Sequence, residues 1–265
     1  MPEWALLKIA VFVKQIPDPS GAGALDPATH RLVREGVEVV LDPGDSYGVE
    51  AGLQLAESTG SEVVAISMGG ERAVEVIRKA MAMGAASGLH VCDARLAGAD
   101  ALTTARVLAA AVSHTGAELV VACTESTDGY TGTVPAAVAE LLGWPSLTFA
   151  KQVELNGRTI RIQRQTPAGH DVVEAELPGV VTVTGGINEP RYPTLKGIMG
   201  AKGKPLERVD LAGLGLDPEQ IAEEMGHQRV VEVEPAPERQ AGRVVEDDGS
   251  AAQLVADYLA ELKVI

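Results

Sequence analysis

Aromatic side chains are scarce in this 265-residue chain: two Phe, four Tyr and two Trp make up 3% of it. Apolar residues still reach 46%, so the core has to be built from Ala, Val, Leu and Ile, enough for one large α/β domain or a domain with appendages. Cysteine is nearly absent. Cys92 and Cys123 lie far apart, in neither a metal-ligand spacing nor a disulfide framework, which points to a reducing cytoplasm. No apolar run approaches the ~18–20 residues that span a bilayer, and Met1 to Lys8 lacks the parts of a secretory signal. Basic residues are outnumbered 22 to 37, for a formal net charge of −15. An extended phosphate-neutralising face is therefore missing, which argues against nucleic acid as a general partner. His30, His90, His114, His170 and His227 are scattered, with no metal-site spacing. There is no Gly-x-Ser-x-Gly elbow, no Walker P-loop and no Gly-x-Gly-x-x-Gly after the first strand. These absences point away from a self-contained enzyme.

What is present is a repeat of strand and helix. Lys8–Lys14 and Val63–Met68 are near-continuous apolar runs, as strands buried on both faces require. A helix is expected over Glu71–Met83, with Val74, Ile77, Met81 and Ala85 on one face and Gly84 as its stop. A short strand at Leu89–Val91, a helix over Asp100–Val112, a strand at Glu118–Ala122 and a helix after Pro135 continue the alternation. The pattern predicts a doubly wound parallel sheet with helices on both faces. A β-rich block follows: Leu147–Val153 and Thr159–Arg164 flank Asn156-Gly157, a hairpin signal, and Val172–Leu177 and Val180–Thr184 add two strands. Leu206–Glu246, rich in Pro, Gly and Glu, is expected to run along a surface. Ser250–Lys263 is expected to be a helix with Leu254, Val255, Tyr258 and Leu262 as its stripe, docking on a neighbour or capping its own sheet.

Two segments carry functional signal. In an open parallel sheet, ligands sit outside the C-terminal strand ends. Three loops qualify: Leu41–Asp45, Met68–Gly70 and Cys123–Val134. The last combines Ser126, Thr127, Asp128, Gly129, Thr131, Gly132 and Thr133 before a helix, a composition suited to phosphate and equally to an ordinary capped loop. The second segment is Asn188–Lys204. With Arg208 added it holds five basic residues on an acidic chain, interleaved with Leu195, Ile198 and Met199. It reads as a docking surface steered by charge and ended by an apolar tip, or as a solvated loop.

From end to end the chain resembles the β (small) subunit of electron transfer flavoprotein. The residues that carry the resemblance are the opening K-I-A-V-F-V-K-Q-I-P-D, Asp42-Pro43 with the helix after it, and Ile77–Ala85. Ser126-Thr127-Asp128-Gly129, Trp144-Pro145 and Asn188–Leu195 leading to Ile198-Met199-x-Ala201-Lys202 complete the series. The resemblance implies a Rossmann-like, adenine nucleotide α-hydrolase-like domain over 1–228, with a β-hairpin extension and a recognition loop at 188–208. An extended C-terminal arm and helix, 229–265, would dock on a larger α subunit that holds most of the FAD. It implies an electron carrier rather than an enzyme, working in fatty acid oxidation in a bacterial or archaeal cytoplasm. Electrons would pass from acyl-CoA dehydrogenase-type donors to a membrane quinone reductase. AMP contacts align with Phe12, Asp42, Pro43, Asp45, Met68, Cys123, Ser126, Asp128, Gly129, Thr131, Gly132, Thr133 and Val134. Partner docking aligns with Arg191, Leu195, Lys196, Ile198, Met199 and Lys202, with Leu195 as anchor.

The departures from that pattern are Asp42 in place of Asn, Gly44 in place of a bulkier residue, and Gln165 in place of an acid near the hairpin end. Glycines at 197, 200 and 203 leave open whether the anchor is ordered without a partner. Leu25–Gly36 and Ala97–Thr104 resemble electron-bifurcating members, which oxidise NADH and hold a second FAD in this subunit; Gly98, Asp100 and Thr104 would then join the site. Ala101, often Thr in those members, and the Cys123–Pro135 loop favour AMP. A free-standing adenine-nucleotide-binding regulatory protein of the same fold is the reading from another class, and it has no use for the Leu195 segment.

Overall fold

A computed structural model describes residues 7–21, 23–226, 230–234, 242 and 244–265; His227, the first six residues and part of the segment read as a surface arm lie outside them. The elements run β1 (Lys8–Phe12), β2 (Gln15–Pro17), β3 (Val39–Leu41), α1 (Pro43–Thr59), β4 (Glu62–Met68), α2 (Val74–Met83) and β5 (Ser87–Val91). They continue α3 (Ala101–Thr115), β6 (Leu119–Cys123), α4 (Val134–Leu142), β7 (Ser146–Asn156), β8 (Thr159–Thr166), β9 (Gly169–Glu176) and β10 (Gly179–Val183). The last are α5 (Leu195–Ala201), β11 (Leu206–Val209), α6 (Pro218–Glu224) and α7 (Ala251–Glu261). The described chain divides into two units, 1–230 and 231–265. In the second, α7 has no buried residue.

Nine strands form one sheet in the order β11-β5-β4-β1-β6-β10-β7-β8-β9. It is parallel from β11 to β7 and antiparallel through β7-β8-β9. Along β1, Ile9 and Val11 enter one core while Ala10 and Phe12 enter the other. That division explains the unbroken apolar run, since a strand covered on both faces has no polar side. The first core is closed by α1, α2 and Ala201 of α5, the second by α3, α4 and Ile221 of α6. This is a Rossmann-like, doubly wound α/β fold.

With few aromatics, helix and sheet meet at short range. Gly44, Gly48 and Gly52 form a four-residue stripe on α1. A Cβ added at Gly44 would stand 2.6 Å from Cys123 Sγ, and one at Gly52 would stand 2.6 Å from Val11 Cγ1. Glycine at 44 is thus a packing requirement.

The structure revises several expectations. Pro43–Asp45 is no loop but the first turn of α1. Leu206–Val209 is not a surface run: it adds the edge strand β11 beside β5, and Val209, Leu211 and Ile221 are buried. The basic segment is not a loop throughout, because Leu195–Ala201 is helical. The hairpin turn is shifted by one residue. Asn156 pairs with Thr159, leaving Gly157 and Arg158 as the two-residue loop. Only Gly157 has a positive φ, +61°, the pattern of a turn with Gly in its first central position.

Candidate functional site

The sheet reverses direction of travel at β1. The chain moves from β1 outward to β4 and β5, then crosses back to β6 on the other flank. A crevice therefore opens beyond the C-terminal ends of β1 and β6, and three stretches of chain meet the 123–134 loop there. Lys14, just after β1, reaches across 114 positions: its Nζ donates to Asp128 Oδ1 at 2.7 Å and to Ser126 Oγ at 3.1 Å. Arg34, from the segment between β2 and β3, donates to the other oxygen of Asp128. Burial pushes the Asp128 carboxyl up, but the two cations more than reverse it and hold it below its ordinary value. The third stretch is the start of α1, where Asp42 caps the helix by accepting from the Gly44 N–H at 2.9 Å. The same carboxylate accepts from the Thr127 N–H and the Thr127 hydroxyl, each at 2.6 Å.

These bonds define what each predicted residue does. Asp42 is fully buried and its oxygens point into the 126–129 turn, so the carboxylate there serves the loop. Asp45 is buried too and accepts from the Lys14 N–H at 2.7 Å; burial, with Asp42 beside it, raises its pKa well above the usual range. Cys123 packs on Gly44, and burial pushes its thiol up to about 11, away from thiolate chemistry. Phe12 is buried and Met68 half-buried at the strand ends, while Gly129, Thr131, Gly132 and Thr133 are exposed. Tyr130 and Gly132 have φ of +48° and +63°, so the loop doubles back before α4. Thr133 caps α4 without a side-chain hydrogen bond, and Pro135 follows Val134 in the first turn.

Gly98 and Asp100 lie between β5 and α3, and Thr104 is in the first turn of α3. Asp100 caps α3 through the Thr103 N–H at 2.8 Å. The Arg31 guanidinium lies against Gly98, 2.2 Å from where a Cβ would stand. The 25–36 segment thus touches both the 97–104 loop, through Arg31, and the 123–134 loop, through Arg34. Lys14 was discoverable as the residue leaving a parallel strand at its C-terminal end. Arg34 was not, because only the folded topology brings it to Asp128.

The docking residues occupy another surface. Leu195, Lys196, Ile198, Met199 and Lys202 are on or beside α5 and all are exposed, whereas Arg191, just before it, is half-buried. 

Tyr192, at 93%, and Leu195, at 75%, are among the most exposed apolar side chains of the unit. Thr194 caps α5 by accepting from the Gly197 N–H at 3.0 Å. Arg191 is not a free docking cation. It is ion-paired to Glu50 and Glu57 of α1, and those hydrogen bonds, Glu50 first, raise its pKa further. Burial pushes Glu50 up, yet Arg191 brings it below its ordinary value. Glu50 and Glu57 carried no signal in the sequence beyond helix spacing. No helix among the described residues is long and apolar enough to cross a membrane, and no cluster of potential metal ligands occurs among them.

Comparison with known proteins fits this arrangement. The electron transfer flavoprotein domain pattern matches residues 29–214. The electron transfer flavoprotein subunit beta of Mycobacterium tuberculosis is 38% identical over 266 residues, covering 98% of this chain and all of the relative. That of Megasphaera elsdenii is 30% identical over 263 residues, covering 96% and 97%. The caffeyl-CoA reductase-Etf complex subunit CarD of Acetobacterium woodii is 34% identical over 215 residues, covering 80% and 82%. On its fold, its full-length similarity and its matched domain, the chain belongs to the electron transfer flavoprotein β-subunit family.

Proposed function

We propose that this chain is the small subunit of a heterodimeric electron carrier in the cytoplasm of a bacterium or archaeon. A larger α subunit holds most of the FAD, and the pair moves electrons from acyl-CoA dehydrogenase-type flavoenzymes, as in fatty acid oxidation, to a membrane quinone reductase. The observation that carries this reading is the bare apolar crest of α5, Leu195, Ile198 and Met199, standing on an otherwise well-packed unit. Surface of that kind marks a contact site, and a regulatory nucleotide-binding protein has no use for it.

The crevice beyond β1 and β6 fits an adenine nucleotide. α4 starts without a capping side chain, beside the exposed hydroxyls of Thr131 and Thr133, and Lys14 supplies positive charge at its mouth. Asp42 does not oppose a phosphate there, because its oxygens are turned to Thr127. Glu125 does lie beside Gly132, and a phosphate at that point requires it to turn into solvent. In this reading AMP has a structural role: the loop hydroxyls and N–H groups hold it, and it ties the three stretches of the crevice together. FAD, when bound, supplies the electron storage. The residues of this chain contribute no acid, base or nucleophile; they order the crevice and present Leu195.

The second reading is an NADH-oxidising, bifurcating carrier with a second FAD in the crevice. The contact of Arg31 with Gly98 favours it, since it joins the 97–104 loop to the crevice. Co-expression with an α subunit and counting flavin per heterodimer tests both. One FAD with releasable AMP supports the carrier. Two FAD, with NADH bleaching the visible flavin spectrum, supports bifurcation. A colourless homodimer that hydrolyses ATP overturns both.

A further inference from the structure

The segment that bears Leu195 is tied down on both sides. Upstream, Arg191 spends its whole head group on α1. Its N–H and Nε donate to Glu50 Oε2 at 3.1 and 2.8 Å, and Nη2 donates to Glu50 Oε1 at 2.9 Å. Nη1 and Nη2 reach the two oxygens of Glu57 at 2.5 and 3.2 Å. Glu50 and Glu57 are seven residues apart, two helical turns, and so share a face of α1. Glu50 is 3% exposed, and a carboxylate that deep needs a fixed partner. Asn188 adds a bond from Nδ2 to the Tyr47 carbonyl at 3.1 Å.

Downstream, the contact is with α2. A Cβ at Gly197 would stand 2.4 Å from the Ala82 carbonyl oxygen, so the glycine seats α5 directly on the last turn of α2. Lys204 Nζ donates to the carbonyls of Met81, in the last turn of α2, and of Ala85, just beyond it, both at 2.7 Å, so it fills an acceptor that the helix end leaves open. A helix of seven residues with two glycines is too short and too flexible to persist alone. What keeps it is this set of tethers, which leaves the crest side uncovered.

We propose that Arg191 is the positioning residue of the docking helix: with Glu50, Glu57, Gly197 and Lys204 it holds α5 formed before a partner arrives. The inference rests on α5 being the docking element. Its consequence is that association spends none of its free energy on ordering the segment, the usual route by which preorganisation raises affinity. Lys196 and Lys202 are then the cations of the segment left exposed for a partner.

Hydrogen exchange on the purified heterodimer tests the clasp without any partner. In the wild type, peptides covering 195–201 exchange slowly. Arg191→Gln speeds their exchange at least tenfold while peptides from β1, β4 and β6 are unchanged. Because Arg191→Gln leaves Glu50 buried and unpaired, the double variant Glu50→Gln/Arg191→Gln is made beside it, and the same local opening is expected in a protein with no orphaned charge. Arg191→Lys, which cannot span two carboxylates, falls between. Wild-type peptides already exchanging at an unstructured rate, or a double variant as protected as the wild type, overturn the proposal. With a reduced acyl-CoA dehydrogenase as electron donor, the double variant is expected to raise the apparent KM for the donor about tenfold at unchanged kcat and flavin content. An unchanged KM overturns the docking consequence. If the helix opens in the clasp variants while Leu195→Ala is also neutral with the donor, the docking reading fails and the clasp itself stands.

Discussion

Asp42 and Asp45 share the start of α1, and both are buried, but their surroundings differ. Three donors converge on Asp42, whereas Asp45 has the Lys14 N–H and the neighbouring Asp42 charge. Its pKa is raised above the ordinary 3.8. Between 3.8 and the raised value the folded state binds more protons than the unfolded one, so stability falls as pH rises through that window. Asp45→Asn keeps an acceptor for the Lys14 N–H and removes the titration. The stability of the variant relative to wild type is therefore expected to climb from pH 4 to pH 8 in urea unfolding; a difference flat in pH contradicts the assignment. Gly44 makes a steric counterpart. Gly44→Ala drives a methyl into Cys123 Sγ and is expected to cost about 1–3 kcal/mol. Cys123→Ala in the same chain makes room, so the double variant should lie above the sum of the two single effects.

At the scale of elements, what could be read in advance follows from burial. β1, β4, β6 and β10 are covered on both faces, and their apolar runs announce them. The 123–134 loop was legible because polar and glycine residues there interrupt an apolar strand before a helix. β11 was not: Leu206-Glu207-Arg208-Val209 is an edge strand with two exposed charged side chains, and its polarity resembles that of a loop. α5 was missed because Gly197 and Gly200 lower its helix propensity, and it is seating on α2, a tertiary contact, that fixes it. The clasp of Arg191 on Glu50 spans 141 positions, and no local pattern records it. The consequence for α5 is a separation of stability from function. Leu195 projects into solvent, so Leu195→Ala is expected to change unfolding free energy by less than about 0.5 kcal/mol. Electron acceptance from a reduced acyl-CoA dehydrogenase is expected to slow at least tenfold with flavin content intact. A variant that is destabilised, or one that accepts electrons at the wild-type rate, contradicts this.

For the whole molecule the question is whether a cationic patch can steer anything on a body of net charge −15. Of the five basic residues first read as a guiding cluster, Arg191 is paired to Glu50 and Glu57, Arg208 to Glu71, and Lys204 is bound to backbone carbonyls at the end of α2 and just beyond it. That leaves Lys196 and Lys202 exposed, too few to reverse the long-range field. Their reach is set by screening, about 8 Å at physiological ionic strength, so they act in the last step of approach. Removing both takes the net charge only from −15 to −17, a minor change in the distant field but a complete loss of exposed positive charge on α5 and its C-cap. Rim charges of this kind alter association rate and its salt dependence more than the lifetime of the complex. Lys196→Ala/Lys202→Ala is therefore expected to slow association with a reduced acyl-CoA dehydrogenase severalfold at low salt in stopped-flow measurements. Because Leu195 is retained, the difference from wild type should close above roughly 0.3 M salt, where the Debye length has shrunk to a few ångströms. A deficit that persisted at high salt would mean that the lysines make direct, desolvated contacts in the complex. An absence of any deficit at low salt would mean that the apolar crest alone finds its partner.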